Sequence, residues 1–168
     1  MVIAYKGTVP VIGEAVFVAE QVALIGRVIL KDRANIWFGS VLRGDVNRIT
    51  IGVDSNIQDN STVHVTSTYE TKVGDRVTVG HNCIIHGCVI EDNCLIGMGA
   101  TILDGAVIGK GSIVGANSLV TMNKTFPPYS LILGSPAKVI RPLTEAEIAS
   151  TLESAEHYVA YAKTYMGD

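Results

Sequence analysis

Aliphatic residues recur at every sixth position along most of this 168-residue chain. Small or β-branched residues stand four positions after most of these anchors, and Gly often follows an anchor directly. Two of the unbroken runs consist of Ile12, Val18, Leu24, Leu30, Ile36 and Leu42, and of Ile90, Ile96, Ile102, Ile108, Val114 and Val120. A six-residue period of this kind is typical of a parallel β-helix, in which each hexad forms one short strand and one corner.

The period predicts an all-β fold with three hexads in each triangular coil. Eighteen anchors predict about six coils within residues 1–124. Residues 125–143, which contain the Pro127-Pro128 pair, are predicted to be a connecting segment without repeats. Together these segments and the following helix are expected to form a single domain.

The C-terminal segment has a different pattern. Thr144 and Glu147 have the spacing of a capping box, which marks the start of a helix. Apolar residues then recur at alternating intervals of four and three, which predicts one amphipathic helix over residues 144–168. Its apolar stripe, expected to pack on the prism or on a neighbouring subunit, consists of Ile148, Leu152, Ala155, Val159, Ala162 and Met166.

The composition excludes several classes of protein. A formal net charge of −3 gives no basic surface for nucleic acid. The apolar stretches are too short for a membrane helix, and the N-terminus lacks the features of a signal peptide. We therefore expect a cytoplasmic protein with neither a nucleic acid nor a membrane as partner. Three cysteines do not favour a disulfide framework, and Cys83 and Cys94 fall at small inward positions.

The repeat also predicts where the histidines lie. In each coil the anchor points inward and the next residue points outward. His64 follows the anchor Val63, and His86 follows the anchor Ile85, one coil later. The two imidazoles are therefore predicted to stack about 4.8 Å apart on one outer face. At that spacing they could share one metal ion.

His81 falls on the adjacent side of the triangle, above Asp59 and beside Gln58. It should not reach the metal of His64 and His86 within one chain, because a corner separates the two columns. A threefold trimer would set His81 of one chain against the other two histidines of its neighbour. In that arrangement Arg43, below His64, would face Asp59 of the neighbouring chain.

These residues resemble those of the gamma-class carbonic anhydrases. The matching motifs are Arg43-Gly44-Asp45, Asn56-Ile57-Gln58-Asp59-Asn60, His64, and His81 with His86-Gly87. The likeness extends over nearly the whole chain, including Gly134-Ser135-Pro136 and the final helix. The resemblance implies that the β-helix is left-handed.

The resemblance further implies a homotrimer in which His64 and His86 of one chain and His81 of the next bind Zn²⁺, with Fe²⁺ or Co²⁺ as alternatives. Arg43, Asp45 and Asp59 are implied to form ion pairs between subunits. Gln58 is implied to hydrogen-bond the reacting water or bicarbonate, with Asn56 in support. Tyr158 matches a helix tyrosine that lies near the site in relatives.

The implied activity is the reversible hydration of CO₂ to bicarbonate by hydroxide generated on zinc. The chain departs from the family prototype, whose acidic loop shuttles protons: residues 65–72 hold a single acid, Glu70, and Val46 replaces a glutamate. One alternative is therefore a metal-binding trimer with little or no hydratase activity. A second is a hexapeptide-type acyltransferase on the same prism.

Overall fold

Short parallel strands stack in coils over most of the chain, as the six-residue period predicts. The computed structural model describes residues 1–167. Strand pairing defines three columns, two of which are joined into one sheet by the long strands that turn a corner. The strands are β1 (Val2–Ile3), β2 (Val11–Ile12), β3 (Phe17–Val18), β4 (Ala23–Leu30), β5 (Asn35–Ile36), β6 (Val41–Ile51), β7 (Asn56–Ile57), β8 (Thr62–His64), β9 (Thr71–Val73), β10 (Thr78–Val79), β11 (Ile84–His86), β12 (Val89–Ile90), β13 (Leu95–Ile96), β14 (Thr101–Ile102), β15 (Val107–Ile108), β16 (Ile113–Val114), β17 (Leu119–Val120), β18 (Thr125–Phe126), β19 (Ser130–Gly134) and β20 (Ala137–Pro142).

The fold is a parallel β-solenoid of about seven turns, close to the six predicted. One column contains seven parallel strands, from β3 through β5, β7, β10, β13 and β16 to β19. The count rises because the register continues past Lys124: the side chains of Phe126 and Ile132 are buried at six-residue spacing. β18 pairs in parallel with β15, and β19 with β16, before β20 folds back antiparallel to β19.

The interior of the solenoid is filled by the anchors. Leu24, Ile57, Ile85 and Ile102 are all fully buried, and they belong to one continuous hydrophobic core. The three cysteines are also buried and unpaired. Because successive side chains of a strand point to opposite sides, burial of each anchor turns the next residue outward.

Helix α1 (Glu145–Met166) packs on the column that holds β3, β5, β7 and β10. The predicted capping box is present: the Thr144 side chain accepts from the Glu147 amide, and the Glu147 side chain accepts from the Thr144 amide. Gly167 caps the other end in a left-handed conformation, and Asp168 lies outside the described residues. Within residues 1–167, no helix is both long and apolar enough to cross a membrane.

The packing face of α1 differs from the predicted stripe. The fully buried helix residues are Thr151, Ala155 and Ala162, whereas the predicted Met166 is exposed. Small residues lie closest to the solenoid because the flat sheet lets the helix backbone approach closely. Tyr158 also packs against the core, and Ile148, Leu152 and Val159 remain half-buried.

Candidate metal centre

His64 and His86 lie side by side on adjacent strands, as the register predicts. The two residues are direct partners in the β8–β11 pairing, and Arg43 is the partner of His64 in the β6–β8 pairing. The anchors before them, Val63 and Ile85, are fully buried in the core. The same packing that builds the core therefore holds both imidazoles on one outer face.

The two imidazoles face each other through one nitrogen each. Nδ1 of His64 lies 3.0 Å from Nε2 of His86. Two nitrogen ligands at 2.0–2.1 Å from a tetrahedral zinc ion are roughly 3.3 Å apart. The pair thus already has nearly the separation that one metal ion requires of two of its ligands.

Each of these imidazoles contacts a carboxylate through its second nitrogen. Nε2 of His64 lies 3.1 Å from Oδ1 of Asp45, and Nδ1 of His86 lies 2.5 Å from Oδ1 of Asp104. Metal-binding histidines commonly donate their second N–H to such a carboxylate, which fixes the ring and its tautomer. The surroundings of both rings therefore fit a metal-binding role.

Asp45 also accepts a hydrogen bond from the guanidinium of Arg43 in the same chain. Partial burial acts to raise the pKa of Asp45, but hydrogen bonds from Arg43 and His64 outweigh it and hold that pKa below its ordinary value. A carboxylate that stays ionised is the form that accepts hydrogen bonds from both neighbours.

His81 lies on a different corner, two residues after the end of β10. Its Nδ1 atom is 2.8 Å from Oδ2 of Asp59, the residue predicted to lie below it. The chain turns here through Asn60 and Asn82, whose φ angles of 58° and 57° lie in the left-handed region that Asn tolerates. With Nδ1 on Asp59, the Nε2 atom of His81 is the nitrogen left for a metal.

A single chain does not complete a metal site. Within residues 1–167 no group of three or more His, Cys, Asp or Glu side chains is arranged to hold a metal ion. The structure brings His64 and His86 together but leaves His81 on another column. The fourth histidine, His157, is exposed on α1.

The candidate residues Asn56 and Gln58 belong to a buried row of hydrogen bonds. Nε2 of Gln58 donates to Oδ1 of Asn56 at 3.2 Å, and Nδ2 of Asn56 donates to Oγ1 of Thr78 at 3.0 Å. The Thr78 hydroxyl in turn donates to Oγ of Ser154 at 3.1 Å. The row ties the Gln58 amide to helix α1 and fixes its orientation beside Asp59.

Tyr158 lies in a cleft of about 410 Å³ between α1 and the corner that carries Asp59. Its ring meets Trp37 edge-on, with 5.4 Å between ring centroids. Burial, together with the nearby charge of Asp59, raises the pKa of Tyr158. The phenol therefore lies on the side of the chain that carries Asp59.

Two parts of this arrangement were not predicted from the sequence. Asp104 stands one coil after Gly87, so it is reached from the residue beside His86 and not from the histidine column itself. Thr78 and Ser154 carry no comparable signal, because their contact depends on where α1 docks.

The hexapeptide repeat is also found by comparison with known proteins. The family model for the bacterial transferase hexapeptide (six repeats) matches residues 70–103 and 87–121. The probable carbonic anhydrase of Methanocaldococcus jannaschii is 50% identical over 91% of this chain and 96% of its own length. The carbonic anhydrase of Geobacillus kaustophilus is 44% identical, over 98% of this chain and 91% of its own.

Among solved structures, a hexapeptide transferase family protein from Anaplasma phagocytophilum superposes with a TM-score of 0.95 at 41% identity. The match covers 98% of both chains. Identity at this level over nearly complete chains shows common membership of a family. The chain belongs to the gamma carbonic anhydrase family of hexapeptide-repeat proteins.

Proposed function

We propose that this protein is a zinc-dependent gamma-type carbonic anhydrase whose active sites lie between the subunits of a homotrimer. The observation that supports this most directly is the 3.0 Å approach of Nδ1 of His64 to Nε2 of His86. A matched pair of nitrogens, each on a ring whose other nitrogen contacts a carboxylate, has the chemistry of two zinc ligands.

In the proposed site, His64 and His86 of one chain and His81 of the next hold the metal. Fe²⁺ and Co²⁺ suit the same imidazole set and are the alternatives to Zn²⁺. Zinc held by these three histidines would lower the pKa of water to about 7, which is the chemistry that CO₂ hydration needs at neutral pH.

The chain's own residues then orient the reactants. Gln58 is almost fully buried, and its amide is held by Asn56, so it can hydrogen-bond bicarbonate without losing side-chain entropy at that step. Tyr158 and Trp37 line the adjoining cleft with aromatic surface, which suits a small neutral substrate such as CO₂. Asp59 orients the imidazole of His81 through its Nδ1 atom.

The proposed trimer also gives Arg43 and Asp59 a role, as an ion pair between subunits. Arg43 is about half exposed in one chain, although it already contacts Asp45. Its remaining N–H groups can reach Asp59 of the neighbouring chain, whose carboxylate is about one-third exposed beside His81. Such an ion pair would hold His81 of one chain against His64 and His86 of the next.

One observation favours a second candidate, a trimer of the same metal centre with little hydratase activity. Glu70, the only acid of residues 65–72, accepts hydrogen bonds from Arg48 at 2.6 and 3.0 Å. Val46 is about half exposed where the family prototype has a glutamate. Neither position offers a free carboxylate that could carry protons to solvent.

Stopped-flow CO₂ hydration tests the proposal and separates the two candidates. The wild-type protein would be compared with His81→Ala and with His157→Ala, after loading with zinc, cobalt or, without oxygen, iron. The proposal expects activity in the wild type and in His157→Ala and a loss to the buffer rate in His81→Ala. Full metal occupancy with no activity in any metal form would favour the second candidate.

A further inference from the structure

The corner that carries His86 is one residue shorter than its neighbours. The anchors on either side of it, Ile85 and Ile90, are five residues apart, whereas those from Ile90 to Ile108 are six apart. Counted back from Ile90, Cys88 occupies the small inward position, and it is fully buried there.

The next coil packs closely over this corner at Gly87. Gly87 has a φ of +56°, and a Cβ atom at this position would lie 2.5 Å from Oδ1 of Asp104. The same oxygen is 2.5 Å from Nδ1 of His86. A side chain at residue 87 would therefore displace the Asp104 carboxylate from the imidazole.

The contact between Asp104 and His86 is also isolated from other ions. In the described part of the chain, His86 is the only ion-pair partner of Asp104. The carboxylate is about four-fifths buried, so few water molecules compete for its oxygens. A carboxylate in these surroundings is a strong acceptor for one N–H group.

We propose that Asp104 is a positioning residue that accepts the Nδ1–H of His86 and keeps Nε2 directed at the metal. This inference rests on the proposed function, because it assigns His86 as a ligand. Asp45 contacts Nε2 of His64, and Asp59 contacts Nδ1 of His81. Asp104 would thus complete a set in which each imidazole has its own carboxylate, which raises ligand basicity and fixes the tautomer.

The chain offers a matched control at another corner. Asp92 lies over Gly74, where a Cβ atom would also be 2.5 Å from its Oδ1. That oxygen accepts the amide of Asp75 at 2.9 Å and contacts no imidazole. Replacing Asp92 by Asn therefore reproduces the packing change without touching a candidate ligand.

The test measures the Zn²⁺ dissociation constant of the wild type, Asp104→Asn, Asp104→Ala and Asp92→Asn by competition with a chromophoric chelator. We expect affinity to fall roughly 10- to 100-fold in the Asp104 variants, more in Ala than in Asn, and to be unchanged in Asp92→Asn. The visible spectrum of the Co²⁺ form should change only in the Asp104 variants. Thermal unfolding of each metal-free protein reports any loss of folding separately.

The outcomes distinguish a failure of the positioning role from a failure of the proposed metal site. Wild-type zinc affinity and an unchanged Co²⁺ spectrum in both Asp104 variants would overturn the positioning role while leaving the proposed metal site intact. A wild-type protein that binds no zinc after reconstitution would contradict the proposed function itself. An equal loss of zinc affinity in Asp92→Asn would also overturn the positioning role, because it would make the effect a general one of corner packing.

Discussion

Nδ1 of His64 and Nε2 of His86 lie 3.0 Å apart although 22 residues separate them in the chain. One full coil of the solenoid, lengthened by the loop that contains Glu70, accounts for this separation. The pair depends on core packing, since the buried anchors Val63 and Ile85 hold the two strands in register. The fold thus supplies two of the three proposed ligands and makes the third depend on assembly.

Assembly should be sensitive to the face that carries His86. Ile84 points outward from β11, two residues before His86, and is 44% exposed in the single chain. A charge in an apolar interface costs free energy unless it is paired, so Ile84→Lys should shift the trimer toward monomers. Sedimentation velocity at micromolar concentration checks this. Val107→Lys, on the column that carries no candidate ligand, should remain trimeric, and equal dissociation of both variants would contradict the assignment of the face.

Gln58 should contribute to turnover rather than to metal binding. Gln58→Ala removes an amide that is oriented by Asn56 and is therefore expected to lower kcat/KM by about 10²-fold. Zinc content per chain should stay at the wild-type value. Gln21→Ala, at an exposed turn, serves as the control. A loss of zinc in Gln58→Ala would show instead that this residue supports the metal site.

The three thiols should be unreactive in the folded protein. Burial raises the pKa of Cys83 to about 11 and those of Cys88 and Cys94 to about 12. Few thiolates therefore exist at pH 8, and none of the sulfurs is accessible to a reagent. Titration with a chromogenic disulfide should detect no thiol in the native protein and all three in denaturant. Rapid reaction of a native thiol would contradict the described burial.

The start of α1 should be sensitive to acid. Hydrogen bonds from Arg141 and then from the Thr144 amide lower the pKa of Glu147 from an ordinary 4.5 to about 2. Because the folded-state pKa is the lower one, the stabilisation is complete above pH 4.5 and is lost as the pH falls toward 2. Urea unfolding should show wild type and Glu147→Gln converging over this range. A difference that stays constant from pH 5 to pH 2 would contradict this role.

Much of the fold follows from one sequence period. The spacing of the anchors predicts the coils, the inward core and the stacking of His64 on His86, because strand pairing repeats with a fixed side-chain alternation. Thr144 and Glu147 likewise predict the start of α1, since capping is a local interaction. These features depend either on residues that are close in sequence or on the regular stacking of one coil on the next.

Other features depend on contacts that no local pattern encodes. The solenoid continues to Ile132 although Lys124 breaks the small inward position, because burial of Phe126 maintains the register. The helix face that packs on the solenoid is set by close approach at Ala155 rather than by the most apolar stripe. The carboxylate of Asp104 reaches His86 from the position above Gly87, a contact that the stacking of the histidines does not encode.

The central claim is that His81 completes the site from a neighbouring chain, and mixed trimers test it most directly. His64→Ala and His81→Ala would be purified separately, mixed, unfolded and refolded together, and assayed for CO₂ hydration after zinc loading. In random trimers about one quarter of the interfaces would combine intact His64 and His86 with an intact His81. Activity that is absent from either variant alone should return to about that fraction of wild type, whereas a mixture as inactive as its components would contradict a shared site.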